Sequence, residues 1–369
     1  MTKAAELAAL IGSQTALSNR NLVINGAMNV AQRGTSSTGI GASSGYFTVD
    51  RFTIRTSSTA GRLTMTQTAV TDLPGFANCI KLDCTTADTS IAAAEFTFLS
   101  TRLEGQNLQQ MKKGTSSAES VTVSFYVKGN AAATYVCEIG DSDNTRTITQ
   151  AFAVTTSWNR ISLTFPGDTT GAFDDDNAHS LQLNFWLHGG STYSGGTFAD
   201  NTWAAETNAN RYAGSRTSFF DSTDREFFIT GVQMEIGEVA TPFEHRTFAD
   251  DLAACQRYFQ KSYDYGTDIG TGTTIGAMFD RHTAGAAVSN RAPNITFPVE
   301  MRAATTTVVY SLNGTAAAAS DCGTGFGHDS DITSTTFSGT DGTHGLSRMG
   351  LGAAADSMIG FHYTADAEL

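Results

Sequence analysis

The segment Leu181-Gln182-Leu183-Asn184-Phe185-Trp186-Leu187-His188 alternates apolar and polar side chains with the period of a β-strand. Leu181, Leu183, Phe185 and Leu187 would face a core. Gln182, Asn184, Trp186 and His188 would project together from the opposite face. Amides, an indole and an imidazole in one row are the inventory of a sugar-binding surface. The ring covers the apolar face of a pyranose while the amides bond its hydroxyls. Thr122, Ser124, Tyr126 and Lys128 would add a second polar and aromatic row if the two strands share a sheet. The glycan-contacting set expected from this pattern is Tyr126, Asn184, Trp186 and His188. The same alternation is satisfied if a loop or a neighbouring subunit covers the face, with Trp186 as interface core.

Other candidates are less specific. Trp203, Tyr193 and Phe198 lie in the Gly/Ser/Asn-rich stretch 189–215, where a recognition loop and a lid packed over the sandwich are equally consistent readings. Asp141-Ser142-Asp143-Asn144 and Asp174-Asp175-Asp176-Asn177 are acidic loops of a type that calcium uses. Neither has the glycine and distal glutamate of an EF-hand, so no metal site is specified and solvated turns explain them as well. There is no G-x-S-x-G and no H-E-x-x-H, and the seven histidines are scattered (His179, His188, His245, His282, His328, His344 and His362). The glycine-rich run Gly323 to Gly327 follows no strand-to-helix pattern of a phosphate loop. Glu138, Glu206 and Glu226 are carboxylates that a glycosidase would need to pair across a sheet. No motif supports that pairing, and no catalytic residue or cofactor is expected.

Bulk properties narrow the class. Charged residues make up 16% of the 369 residues, against roughly 25% in an ordinary domain. Thr, Ser, Gly, Ala and Asn replace them, the composition of a turn-rich β-protein with neutral surfaces suited to self-association or to uncharged sugars. The net charge is −13 and the longest basic cluster is Lys112-Lys113, so neither nucleic acid nor an acidic membrane surface is an expected partner. Five cysteines at uneven spacing form no metal pairs and no disulfide framework. The N-terminus does not read as a signal peptide, and no stretch reaches transmembrane length.

These residues must be positioned mainly by strands. A short helix is expected over 2–12, with residues 1–20 as an attachment or oligomer-contact segment. About ten strands then recur to Glu235, from Leu22-Val23-Ile24 and Phe47-Thr48-Val49 through Val121–Val127 and Leu181–Leu187 to Phe227–Met234, with turn clusters between them. Such a series argues for a mainly β fold with a jelly-roll sandwich over 21–247. A bridging helix is expected over 248–262, with Thr247 as cap and acids in its first turn. A smaller β-domain follows over 263–369, including Asn294–Phe297 and Thr305–Tyr310.

Two segments carry a family resemblance: Asn21-Leu22-Val23-Ile24-Asn25-Gly26-Ala27-Met28-Asn29-Val30-Ala31-Gln32-Arg33-Gly34, and Ile229-Thr230-Gly231-Val232-Gln233-Met234-Glu235-Ile236-Gly237 running on to Phe259. Together they resemble the first and last strands of a jelly-roll module of tailed-phage and prophage structural proteins, of tail-fibre or receptor-binding type. The resemblance spans roughly 240 residues, from Asn21 to about Phe259. It implies a carbohydrate-binding-module-like fold, a virion location after synthesis in the host cytoplasm and a homotrimer. It also implies tail, baseplate or capsid proteins and host-surface glycan as partners, and no enzyme activity. A capsid decoration protein and a glycan depolymerase are the competing readings. The two segments should pair, because Gly26 and Gly231 sit where a bulge or a close backbone approach is tolerated.

Overall fold

The computed structural model describes residues 3, 19–281, 295–333, 335–337, 343–346, 349–350 and 357–369. The helix expected over 2–12 falls outside the described residues apart from Lys3, and His282 and Asn294 also fall outside them. The chain is mainly β and divides into two compact units, one formed by residues 1–31, 35–248 and 369 and the other by 32–34 and 249–368.

The first unit is a jelly-roll sandwich of two antiparallel sheets. Sheet A contains β1 (Ser36–Ile40), β4 (Arg62–Ala69), β5 (Asn78–Thr86), β7 (Val121–Gly129), β10 (Asn159–Phe165) and β13 (Glu226–Ile236). Sheet B contains β2 (Gly45–Tyr46), β3 (Thr53–Ser57), β6 (Phe96–Glu104), β8 (Ala133–Asp141), β9 (Arg146–Val154), β11 (His179–Gly189) and β12 (Ala204–Ala205). The hydrogen-bonded orders are β1-β4-β5-β13-β7-β10 and β12-β9-β8-β11-β6-β3-β2. The chain changes sheet after β1, β3, β5, β6, β7, β9, β10 and β12, so sequence neighbours often lie in opposite sheets instead of pairing.

Alternation explains the core. Val121, Val123, Phe125 and Val127 on β7 point inward and join Leu181, Leu183, Phe185 and Leu187 of β11 in one buried cluster. Phe125 sits 4.9 Å from Phe185 and 5.1 Å from Phe152, both edge-on, which is a favoured aromatic geometry and ties the two sheets together. The five cysteines are buried and unbridged, as small apolar residues.

The entry segment is not a strand, contrary to the reading of Leu22–Ile24; the chain bends at Val23 and turns over residues 24–27. It nevertheless docks on β13, with Leu22 N donating to Met234 O at 2.9 Å and Val232 N to Gly26 O at 2.9 Å. The β13–β7 register shifts between Thr230 and Gln233, and Gly231 has φ +62° there. A Cβ on Gly26 would lie 2.0 Å from Val232 O, so both glycines serve the close approach expected of them. Phe47–Val49 is also not a strand, because pairing is confined to Gly45–Tyr46. Five strands of this unit, β1, β2, β3, β9 and β12, add to the series expected from the sequence.

The helix at the junction spans Phe248–Gln256, shorter than the expected 248–262, and gives way to a strand at Phe259–Lys261. In the second unit the nine-residue strand Met358–Asp366 is central. It pairs with Phe259–Lys261, Met278–Arg281, Thr306–Tyr310 and Ala318–Asp321. Ile359, Phe361, Tyr363 and Ala365 alternate along it into a separate core. Among the described residues no helix is long and apolar enough to cross a membrane.

Candidate functional site

The structure corrects the expected site. Asn184, Trp186 and His188 do project from the outer face of sheet B, but each is fully buried there. Residues 190–220 fold back over that face. Asn184 lies directly opposite Ser100 on β6 and Glu138 on β8. Ser100 Oγ donates to Asn184 Oδ1 at 2.6 Å, and Asn184 Nδ2 donates to Glu138 Oε1 at 2.8 Å. Glu138 is in turn clamped by Arg211 of the covering segment, Nε to Oε2 at 2.8 Å and Nη2 to Oε1 at 2.6 Å. The Arg211 guanidinium lies 4.8 Å from the Trp186 ring centroid, and its third arm reaches Glu206 at 3.0 Å. Trp186 also packs on Phe98 at 4.8 Å and on Tyr193 at 5.4 Å. His188 bonds Ser218 Oγ at 2.8 Å and Glu95 Oε2 at 3.1 Å. Burial holds its imidazole below the usual range, against the opposing pull of Glu95. The row is therefore a sealed polar layer, which is the covered-face alternative noted from the sequence. Tyr126 stands on β7 in sheet A, so it does not join the other three.

The remaining candidates are absorbed in the same way. Tyr193 and Phe198 pack into the lid, with the Arg216 guanidinium 4.3 Å from the Phe198 ring centroid. Trp203 donates from Nε1 to Pro166 O at 2.8 Å. In the acidic loops, Asp141 pairs with Lys113 Nζ at 2.5 Å and Asp143 accepts from Asp174 N at 3.0 Å. The Lys113 ammonium also donates to the carbonyls of Thr170 and Gly171, at 2.8 and 2.7 Å. Among the described residues no three His, Cys, Asp or Glu side chains are grouped to hold a metal.

The outer face of sheet A is built differently. One row crosses four adjacent strands: Trp158 at the entry to β10, Lys128 on β7, Phe228 on β13 and Lys81 on β5. Phe228 lies directly opposite both Lys128 and Lys81. All four side chains are only partly buried. The Trp158 and Phe228 rings are 6.4 Å apart at 71°. Lys128 Nζ sits between them, 5.0 Å from one centroid and 5.1 Å from the other. Asp72, from the turn after β4, accepts from Trp158 Nε1 at 2.8 Å and from Lys128 Nζ at 2.6 Å. The hydrogen bond from Lys128, then that from Trp158, holds its carboxyl below the usual carboxylate range. Lys81 pairs with Glu226 at 2.6 Å and Asp83 at 3.6 Å. Burial alone would lower its ammonium, but the hydrogen bond and charge of Glu226 outweigh that and raise it.

A second aromatic group lies beside this row. Phe76 is 5.2 Å from Tyr126 and 5.1 Å from Phe243, with His245 a further 4.8 Å from Phe243. The glycine at position 231 admits this packing, since a Cβ there would lie 2.7 Å from Phe76 and 2.9 Å from Tyr126. Sequence reasoning finds Tyr126 and Lys128 but misses Trp158, Phe228 and Asp72. The alternation Phe227-Phe228-Ile229 is a readable signal, because it leaves one phenylalanine facing away from the core. The long-range reach of Asp72 is not readable.

No protein-family model matches the chain, and no curated protein matches it. Solved structures similar in outline include the enzymatically active domain of tailspike protein 4 of bacteriophage CBA120, at 11% identity and a TM-score of 0.31. That likeness covers 59% of this chain and 21% of the tailspike chain. A family 11 carbohydrate-binding module from Clostridium thermocellum, solved with a β-1,3-1,4-mixed-linked tetrasaccharide, has 13% identity and a TM-score of 0.28, over 56% of this chain and 98% of its own. A family 61 carbohydrate-binding module in complex with β-1,4-galactotriose has 8% identity and a TM-score of 0.30, over 59% and 99%. At these values the likeness assigns no residue and no activity.

Proposed function

We propose that this chain is a non-catalytic, glycan-binding structural subunit of a phage particle, of tail-fibre or receptor-binding type, and that the outer face of sheet A is its contact surface. The observation that carries the reading is the row Trp158–Lys128–Phe228–Lys81, in which rings and hydrogen-bonding groups alternate across neighbouring strands. Stacked rings supply apolar contact to a sugar, and the interleaved polar groups fix its hydroxyls. The low charge fraction and the resemblance of the entry and exit segments support the virion role. The three carboxylates considered for hydrolysis are each committed to a cation. Glu138 and Glu206 are both held by Arg211, and Glu226 is held by Lys81.

The test is binding of the full chain to a glycan array, beside Trp158→Ala. Retention without release of reducing ends is expected, with affinity falling about tenfold or more in the variant, the cost of losing an aromatic anchor. Product release would instead identify a depolymerase, and retention of no glycan at all would sink the reading. The homotrimer is part of the same proposal. A mass in solution of three chains supports it, and a monomer at micromolar concentration refutes it.

A further inference from the structure

The charges on the outer face of sheet A restrict what it can bind. Two ammonium groups, Lys81 and Lys128, stand among three carboxylates, Asp72, Asp83 and Glu226. Each ammonium already has a carboxylate at 2.6 Å, so neither offers an uncommitted cation to an incoming anion. Arg160, on the same sheet, is turned to Ser124 Oγ at 3.2 Å and to the Thr241 carbonyl. An acidic sugar would place its charge beside three like charges, on a chain whose net charge is −13. A neutral sugar meets no such penalty. Asp72 accepts from Lys128 at Oδ2 and from Trp158 at Oδ1, and with about four acceptor sites on a carboxylate it keeps capacity for a hydroxyl donor. The row crosses four strands, a span of about 14 Å at the usual strand spacing, which suits an oligosaccharide better than a single sugar.

We infer that this face takes an uncharged oligosaccharide laid across β10, β7, β13 and β5. Trp158 and Phe228 are its stacking platforms, and Asp72 and Glu226 are the specificity residues that reject acidic glycans. The inference rests on the glycan-binding reading above.

It is tested with the full-length protein on neutral oligosaccharides and on oligosaccharides carrying uronate or sialate, at low and high salt. The proteins compared are wild type, Trp158→Ala, Phe228→Ala and the double variant Asp72→Asn/Glu226→Gln. Unchanged denaturation midpoints establish that each variant is folded, and the two ring variants test the platform independently. Wild type is expected to retain neutral glycans only, and each ring variant to lose about tenfold or more. The double variant is expected to gain acidic glycans by about tenfold, with the gain abolished at high salt. Acidic glycans retained by wild type and lost on Trp158→Ala would overturn the inference while leaving the glycan reading intact. No gain in the double variant would remove Asp72 and Glu226 as specificity residues. Glycan retention indifferent to both ring variants would place the site elsewhere, and no retention of any glycan would overturn both readings together.

Discussion

The two outer faces of the sandwich carry similar side chains and put them to opposite uses. On sheet B, the Asn184–Trp186–His188 row and Glu138 form a layer under residues 190–220, with Glu138 matched to Arg211 of that covering segment and the indole fully buried. On sheet A, Trp158, Lys128, Phe228 and Asp72 make the same kinds of pairing, ring to cation and cation to carboxylate, yet stay in reach of solvent. In the low-dielectric layer of sheet B a polar group must find its partner inside the protein or cost free energy. On sheet A water or a ligand can complete the set. The same residue types therefore specify a seal in one place and a contact surface in the other.

The largest effect that would sharpen this contrast is at Glu138. Glu138→Ala leaves Arg211 without its buried carboxylate, and should lower the stability of the first unit by about 3–5 kcal/mol in chemical denaturation. The double variant Glu138→Leu/Arg211→Met should recover much of that loss. If the single variant unfolds at the wild-type midpoint, the layer is not sealed as described. Next in size is Gly190→Ala, where the new Cβ would lie 1.9 Å from Ala92 O at the start of the covering segment. A cost of about 1–3 kcal/mol is expected from such overpacking, and a neutral substitution would mean the lid does not sit this close.

A pH dependence separates the faces further. His179, at the start of β11, is pushed down to about 4, first by burial and then by the charge of Arg102. Its folded value lies below its unfolded value of 6.5, so the unfolded chain binds the proton first. Stability from this group is fully present above pH 6.5 and is lost as the pH falls toward 4, and His188 acts in the same direction. Denaturation midpoints should fall over that window, with a shallower slope in His179→Gln; an unchanged slope would exclude this group as the cause. The smallest effect on stability is expected at Trp158→Ala, within about 1 kcal/mol, since the ring is only partly buried. A larger loss would make Trp158 a structural residue and weaken the contrast on which its binding role depends.

Much of the architecture is legible in the chain because a strand's alternation records which side chains face the core. Val121–Val127, Leu181–Leu187 and Phe227–Met234 are each readable in this way, as is the docking of the Gly26 segment on the Gly231 bulge. The strand Met358–Asp366 carries the same signal in Ile359, Phe361, Tyr363 and Ala365, and is absent from the expected set. Period-two patterning sorts side chains between two faces but does not say which outward face is covered. The cover comes from residues 190–220, a stretch whose Gly, Ser and Asn content reads as loop and carries no statement of where it folds. Sheet membership is equally silent. Tyr126 and Trp186 lie in strands of similar pattern, and only the chain's crossings between sheets put them on opposite sides of the core. Local sequence thus determined most of the long strands, their inward faces and the special glycines, since those depend on the side chains within one segment. Tertiary structure alone decided which polar row was sealed by Arg211 and which was joined by Asp72, because both partners arrive from distant parts of the chain.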